Sequence, residues 1–363
     1  MGDPLAEYRR KRDPARTAEP VPAESAPLPE GRDDTFVIQQ HHARRLHWDL
    51  RLERDGVLVS WAVPRGIPRD PARNHLAVHT EDHPLEYADF AGEIPAGEYG
   101  GGKVLIYDRG RYETEKWRDR EVIVVFHGTR VTGRYALFQT SGQDWMIHRM
   151  DPPEPGWTPM PERVAPMTAT RSARLPGDDA AWGFEMTWAG VRAVAHLAGG
   201  TLRLRAGDRD GTDLTARFPE LRPLAETLAP VECLLDGVVV AFDPGGRVSR
   251  AALLPREQAA GPAAVRRLAA LVPVQFLAFD LLWLDGKNTI DLSYAHRREL
   301  LAELAIAGPH WLTPPFFPGG GREAMRASRE QELPGVIAKR LDSAYQPGVA
   351  SRDWREIPAT GRR

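Results

Sequence analysis

The sequence has one cysteine, Cys233, in 363 residues, which excludes an intramolecular disulfide framework and is typical of a reducing compartment. It has no apolar run close to the roughly 18 residues that a membrane-spanning helix needs. Residues 1–12 are charged and lack the apolar core of a signal peptide. We therefore expect a cytoplasmic protein with no membrane partner. The net charge is only −2, so any nucleic-acid site must be a local basic patch.

Charge and proline content divide the chain into parts. Residues 1–33 are polar and proline-rich, include the basic run Tyr8-Arg9-Arg10-Lys11-Arg12, and are predicted to form a flexible basic arm. Residues 34–150 alternate short apolar strands with glycine-rich turns, which predicts a small antiparallel β-barrel or sandwich. Residues 151–180 are rich in proline and predict an interdomain linker. Residues 181–363 mix strand and helix patterns, so we expect an α+β protein of two domains.

The apolar periodicity also locates individual elements. In the first domain, strands are predicted at 36–38, 56–64, 75–79, 104–107, 121–126 and 134–138. In the second domain, strands are predicted at 192–197, 234–242 and 275–284, and helices at 263–271 and 295–304.

The stretch from His41 to Glu53 carries the strongest chemical signal. From Leu46 onward apolar and polar residues alternate strictly. Since a strand sends successive side chains to opposite faces, His47, Asp49 and Arg51 are predicted to share one face. Two metal-ligand types then lie beside an arginine, which is an arrangement that holds a cation and a phosphate together.

Four potential metal ligands recur in this part of the chain, namely His41, His47, Asp49 and His83. Imidazole and carboxylate groups suit Mn²⁺, Zn²⁺ or Fe²⁺, and such a cation polarises a phosphoryl oxygen. Guanidinium groups match phosphate, and the candidates are Arg45, Arg51 and Arg65. The spacing leaves an alternative open: His47, Asp49 and His83 also match the facial triad of non-haem iron oxygenases.

Several fragments of the first domain resemble a known family, and this resemblance favours a phosphate site over an iron site. Its fragments are residues 36–53, 60–66, 81–87 and 94–100, with the arm motifs 11–13 and 17–20. They resemble the 3′-phosphoesterase domain of bacterial ligase D. The resemblance implies a small β-barrel and a Mn²⁺-dependent enzyme, which removes a 3′-terminal ribonucleotide and then the 3′-phosphate left behind.

The same resemblance implies a role for each matching residue. The implied metal ligands are His41, His47 and Asp49, and the implied catalytic residues are Arg51, His83 and Tyr87. His83 is expected to protonate the leaving 3′-oxygen, and Arg51 to stabilise the transition state. Phosphate or nucleic-acid contacts are implied for Arg45, Arg65, His75, Arg12, Asp13, Glu19 and Glu81, and the arm residues among them belong to ribonucleotide removal.

The sequence departs from this family at two phosphate-binding positions. The family usually has lysine at Arg65 and arginine at His75. Arg65 keeps the charge with a different geometry, whereas His75 is expected to weaken one phosphate contact. The departure therefore puts ribonucleotide removal in doubt more than phosphate removal.

Residues 182–357 resemble the nucleotidyltransferase-like adenylation domain of ATP-dependent DNA ligases, through fragments at 184–192, 212–221, 235–243, 279–286 and 334–340. A ligase forms lysine–AMP through a lysine amine. The positions of this lysine, the following aspartate and two glutamates are occupied here by Thr187, Ala189, Val238 and Pro334. The paired lysines of the last motif are missing as well. Arg192, Arg209, Lys339 and Arg340 are retained, and are expected to bind a nucleotide, DNA or a partner.

These observations lead to one main functional prediction and two alternatives. We expect a metal-dependent phosphoesterase that processes DNA 3′ ends during double-strand break repair by end joining. The second half is expected to be a degenerate ligase scaffold without an oligonucleotide-binding domain, and ATP is not expected as a covalent substrate. Expected partners are primer-template or broken-duplex 3′ ends and, in trans, an end-joining ligase, a polymerase or Ku-like proteins. The alternatives are a non-catalytic scaffold that binds DNA ends or repair partners, and an active ATP-dependent DNA ligase.

Overall fold

The computed structural model describes residues 3–208 and 210–359. The chain forms two compact units, residues 1–155 and 156–363. Over the described residues, no helix has both the length and the apolar character needed to cross a bilayer.

The first unit consists mainly of antiparallel strands. Its helices are α1 (Ala6–Arg10) and a 3₁₀ helix at Leu85–Asp89. Its strands are β1 (Thr35–His42), β2 (Leu46–Arg54), β3 (Val57–Val63), β4 (His75–His79), β5 (His83–Pro84), β6 (Gly92–Ile94), β7 (Gly102–Arg118), β8 (Glu121–His127), β9 (Thr132–Ser141) and β10 (Asp144–Arg149).

Eight of these strands form a closed barrel. The order is β1-β2-β3-β4-β10-β9-β8-β7, and β7 pairs with β1 to complete the ring, while β5 adds to β3 and β6 adds to β7. The β2–β3 hairpin turns through Asp55 and Gly56, both at positive φ, as a two-residue turn with right-handed strand twist requires. The structure therefore confirms the predicted barrel and resolves the choice between barrel and sandwich.

The register of the barrel gathers the polar residues on one face. His41 lies opposite His47, and Gln39 lies opposite Asp49 on the neighbouring strands. On the other side of β2, Arg51 lies opposite Ser60. Directly paired residues of an antiparallel sheet point the same way, so this face collects ligands from separate strands. The opposite face buries the apolar residues of β2, namely Leu46, Trp48, Leu50 and Leu52.

The N-terminal arm packs against the barrel, which differs from the expected flexible arm. Tyr8 has no exposed surface and packs with Leu58 and Tyr87. Its hydroxyl donates to the carbonyl of Pro20, so the arm folds back on itself over this contact. The composition predicted flexibility because the arm has few apolar residues, but two of them, Leu5 and Tyr8, are buried.

The second unit has two sheets and several helices, which confirms the predicted α+β class. Its strands are β11 (Thr168–Arg171), β12 (Trp182–Met186), β13 (Val191–Ala198), β14 (Thr201–Ala206), β15 (Cys233–Ala241), β16 (Val274–Leu284), β17 (Lys287–Asn288), β18 (Ala307–Gly308), β19 (Trp311–Leu312), β20 (Phe317–Pro318), β21 (Gly335–Arg340) and β22 (Ala350–Pro358). Its α-helices are α2 (Pro223–Leu228), α3 (Arg250–Glu257), α4 (Pro262–Leu271), α5 (Tyr294–Glu303) and α6 (Gly321–Glu330), with 3₁₀ helices at Asp179–Ala181 and Pro219–Leu221.

The two sheets have different strand orders. One runs β11-β22-β21-β12-β20, and the other runs β14-β13-β15-β16-β19-β18 with β17 added to β16. Much of the expected linker belongs to this unit. Met167 is buried in its core, the carbonyl of Thr158 accepts from the Trp283 indole, and β11 pairs with β22. The unit boundary thus lies after Pro155, near the start of the proline-rich segment.

Candidate metal and phosphate site

Three side chains from β1 and β2 form a potential metal centre. His41, His47 and Asp49 each offer one ligand atom, and these atoms all lie within 4.8 Å of one another. His41 Nδ1 is 3.6 Å from Asp49 Oδ2, and His47 Nε2 is 3.5 Å from Asp49 Oδ1. Two imidazoles and a carboxylate fit a divalent cation such as Mn²⁺, Zn²⁺ or Fe²⁺.

Backbone carbonyls orient both histidines. His41 Nε2 is 2.7 Å from the carbonyl oxygen of Gly100, and His47 Nδ1 is 3.0 Å from that of Arg45. Since a carbonyl only accepts, each contacting nitrogen carries the proton. The other nitrogen, which faces Asp49, then keeps its lone pair for a cation. This arrangement fixes the tautomer of a ligating histidine.

Gly100 is a functional residue that the sequence pattern did not single out. It lies in a tight loop in which Gly97, Gly100 and Gly102 all have positive φ. A Cβ on Gly102 would lie 2.2 Å from the carbonyl oxygen of His42, so only glycine lets the loop approach β1 this closely. The run of glycines at 100–102 was the available signal for such an approach.

Arg51 lies under the ligands and is almost fully buried. It donates to Gln39 Oε1 at 2.7 Å, to Ser60 Oγ at 2.9 Å and to Asp49 Oδ2 at 3.0 Å. Burial alone would raise the pKa of Asp49, but the Arg51 guanidinium holds that pKa well below its usual range. One donor of Arg51 thus holds the ionised Asp49, and the bonds to Gln39 and Ser60 fix the guanidinium in the barrel.

His83 is not a member of the metal cluster. Its Nδ1 is 2.8 Å from the Glu81 carbonyl oxygen and 3.0 Å from Arg51 Nη1, while its Nε2 is 3.3 Å from Arg12 Nη2. Burial, then Arg51 and Arg12, lower the pKa of His83 well below its usual value. A neutral ring with both nitrogens occupied has no free N–H. The geometry therefore does not support the expected proton donation by His83, nor an iron triad that includes it.

The arm supplies a charged cluster around His83. Arg12 donates to Glu19 Oε1 at 2.8 Å and to Glu81 Oε1 at 3.1 Å, and all three side chains are nearly inaccessible. Tyr87 donates its hydroxyl to Glu19 at 3.0 Å, and its ring lies 4.8 Å from the Arg51 guanidinium. The predicted residues Arg12, Glu19, Glu81, His83 and Tyr87 thus come together in one layer.

Asp13 is not brought into this layer. Its carboxylate accepts from the backbone N–H of Ala15, and the residue is exposed. It therefore shapes the turn that follows Arg12, and a direct contact with substrate stays a prediction.

The remaining predicted phosphate ligands are of two kinds. Arg45 and Arg65 are exposed, and within the described residues neither guanidinium has a hydrogen bond or an ion pair. His75 donates from Nδ1 to the carbonyl of Gly66 at 2.7 Å. Burial lowers the pKa of His75 below its usual value, and the nearby Arg65 and Arg73 add to this shift. The hydrogen bond to Gly66 opposes it. A neutral His75 has one N–H, which already bonds Gly66. Its other nitrogen carries a lone pair, so it cannot donate a hydrogen bond to a phosphate.

In the ligase-like half, the four positions at which ligase residues are replaced do not regain the missing chemical groups. Thr187 follows β12 directly, and its buried hydroxyl oxygen has no hydrogen-bond partner among the residues that the structure describes. Ala189 is partly exposed, Val238 is buried in the core, and Pro334 is exposed. None of the four offers an amine or a carboxylate.

The retained cations of this half are paired within the protein. Lys339 has no exposed surface, and its Nζ is 2.8 Å from Glu185 Oε2. Arg192 makes two contacts of 2.6 Å to the Asp236 carboxylate. Both cations are thus paired inside the protein, and their binding of a nucleotide or DNA stays a prediction. Arg209 lies outside the described residues, and Arg340 is partly exposed and pairs with Asp342.

Aromatic rings complete the enclosure of Lys339. Its Nζ lies 4.2 Å from the ring centroid of Trp354, 4.4 Å from that of Phe279 and 4.8 Å from that of Tyr294. Cation–π attraction and the Glu185 carboxylate together stabilise an ammonium that has lost its hydration. Burial lowers the pKa of Lys339, and Glu185 opposes that shift.

Comparison with known proteins identifies both halves. Residues 39–139 match the family model of the DNA ligase D 3′-phosphoesterase domain, and residues 166–357 match that of the ATP-dependent DNA ligase domain. The multifunctional non-homologous end joining DNA repair protein LigD of Mycobacterium tuberculosis is 46% identical over 358 residues, which cover 98% of this chain and 45% of the relative. LigD of Pseudomonas aeruginosa is 32% identical over 414 residues, which cover 98% of this chain and 47% of the relative.

Solved ligase structures are also similar to part of this chain. The ligase domain of M. tuberculosis LigD is 38% identical, with a TM-score of 0.45. The match covers 54% of this chain and 59% of the chain in that structure. The chain spans less than half the length of the two curated relatives.

Proposed function

Since the chain belongs to the LigD family, with a 3′-phosphoesterase domain joined to an ATP-dependent DNA ligase domain, we propose that it processes DNA 3′ ends in non-homologous end joining. The proposed reaction is metal-dependent removal of a 3′-phosphate, with removal of a 3′-ribonucleotide as a second and weaker activity. Mn²⁺ is the proposed cation. A polymerase, an end-joining ligase or Ku-like proteins acting in trans stay predictions.

The observation that carries this proposal is the cluster of His41, His47 and Asp49. Their ligand atoms lie within 4.8 Å of one another, and backbone carbonyls fix both tautomers with the lone pairs towards Asp49. A cation held there would supply Lewis-acid polarisation of a phosphoryl oxygen. Arg45 and Arg65 are exposed, and we assign both to the non-bridging oxygens of the same phosphate.

The surrounding residues have supporting roles in this proposal. Arg51 keeps Asp49 ionised and in place, and contributes positive charge below the phosphate. His83 and Tyr87 lie against Arg51 and connect it to the arm through Arg12 and Glu19. We therefore assign His83 and Tyr87 as positioning residues for Arg51 and the arm.

The proposed weakness of ribonucleotide removal can be tested on two primers that differ only at the 3′ end. Primers that carry a 3′-phosphate or a 3′-ribonucleotide are incubated side by side with Mn²⁺, and the products are resolved on a gel. His75→Arg is expected to raise ribonucleotide removal by roughly 10-fold, because it restores a charged donor to phosphate. His127→Arg, at an exposed histidine of β8, is the control. If His75→Arg left the ratio of the two activities unchanged, the assigned cause of the weakness would be wrong.

We also propose that the second half is a degenerate ligase. The lysine position is Thr187, and the retained Lys339 is enclosed by Glu185 and three aromatic rings. Incubation with labelled ATP and Mg²⁺ or Mn²⁺ is therefore expected to leave no label on the protein. An ATP-dependent DNA ligase treated in parallel is the positive control. A covalently labelled band would contradict the proposal and favour the alternative of an active ligase.

A further inference from the structure

Tyr99 is unusual among the side chains around the candidate site. Within the described residues, it is the only aromatic among the large apolar side chains that are clearly exposed, with 48% of its surface open. The other site aromatics, Tyr8 and Tyr87, are buried.

The loop geometry places Tyr99 beside the metal ligands. The next residue, Gly100, accepts the hydrogen bond that orients His41. Adjacent Cα atoms across a trans peptide are about 3.8 Å apart, so the Tyr99 backbone is close to this contact. The other end of the loop also packs closely on β1, because Gly102 approaches the His42 carbonyl.

A second set of contacts places the ring on the side of His83. Lys11 Nζ lies 3.2 Å from the Tyr99 hydroxyl oxygen and 3.0 Å from Glu81 Oε2. The Arg12 guanidinium is 5.5 Å from the Tyr99 ring centroid and also contacts His83. The ring therefore stands between the loop and the arm, at the edge of the proposed phosphate site.

We propose that Tyr99 is a stacking platform for the nucleobase of the 3′-terminal nucleotide. This inference rests on the proposed function, since it assigns a contact to the nucleotide whose 3′-phosphate is removed. Bases stack on aromatic rings with little sequence preference, because every base has a π-face. Lys11 and Arg12 contact the same ring and pair with Glu81, so the arm holds the ring at the edge of the site. Stacking orients the terminal nucleotide while Arg45 and Arg65 bind its phosphate.

The test uses two primer-templates with a 3′-phosphate, one with a normal terminal nucleotide and one with an abasic terminal nucleotide. The wild-type protein is expected to prefer the normal end in kcat/KM by roughly 10-fold, and Tyr99→Ala is expected to lose that preference by losing activity on the normal end. Tyr99→Phe keeps the ring and loses only the hydroxyl contact to Lys11, so it is expected to keep the preference.

The comparison of ends separates stacking from a role in holding the arm. If Tyr99 only anchored Lys11 and Arg12, Tyr99→Ala would lower activity on both ends equally, and the inference would be overturned. Equilibrium binding of the same DNAs, followed by fluorescence anisotropy, requires no turnover. No preference for the normal end in wild-type binding would overturn the inference, whereas a preference without phosphate release would contradict the proposed function alone.

Discussion

Replacing His47 with alanine is expected to lower Mn²⁺-dependent phosphate release from a 3′-phosphate primer by roughly 1000-fold or more. The change removes one of the three ligand atoms in the cluster. The fold is expected to remain intact, because the His47 side chain is 23% exposed and makes one hydrogen bond, to the Arg45 carbonyl. The measurement is phosphate release, with Mn²⁺ binding by isothermal titration calorimetry as a second readout.

His127→Ala is the matched control, since it removes an exposed histidine from β8 of the same barrel. It is expected to leave both readouts unchanged. Full activity in His47→Ala would contradict the metal assignment. Asp49→Ala is a less clean test, because it also leaves the buried Arg51 charge without its carboxylate, and breaking a buried pair costs about 3–5 kcal/mol of stability.

Replacing Glu185 with glutamine is expected to reduce the free energy of unfolding of the second unit by roughly 3–5 kcal/mol. Glu185 is buried, contacts Lys339 at 2.8 Å and Arg298 at 3.5 Å, and accepts a hydrogen bond from Tyr294. A neutral amide would leave two buried cations without a counter-charge. Urea denaturation followed by tryptophan fluorescence measures the loss.

Glu332→Gln provides the control for this change. Glu332 pairs with Arg247 on the surface, and both side chains are more than half exposed, so its loss is expected to cost less than about 1 kcal/mol. Lys339→Met should also cost less than Glu185→Gln, because Glu185 would still face Arg298. Equal stability of Glu185→Gln and the wild-type protein would show that the enclosed charges do not support this half.

Local periodicity predicted many elements because their apolar spacing is regular. The strand predicted at 75–79 is confirmed as β4, and the helices predicted at 263–271 and 295–304 are confirmed as α4 and α5 within a residue. β7 was predicted only at 104–107 but extends from Gly102 to Arg118. Its later part carries many charged residues on the exposed face, and the pairing with β1 and β8 determines its length.

The site was predictable only in part, for a similar reason. Alternation along β2 correctly places His47, Asp49 and Arg51 on one face, since that is a property of a single strand. His41 joins them through the register between β1 and β2, which the sequence does not state. The glycines at 100–102 signal a close approach of the loop but not its hydrogen bond to His41, and the arginine contacts of His83 depend on the position of the arm.

The closure of the barrel has a consequence for how the metal centre relates to folding. β1 is both the strand that carries His41 and the strand at which β7 completes the ring. A cation bound by His41, His47 and Asp49 would therefore join β1 to β2, next to the β1–β7 pairing that closes the barrel. Because the cation would bind the folded barrel and not the unfolded chain, its loss would lower the free energy of unfolding of this unit as well as remove chemistry.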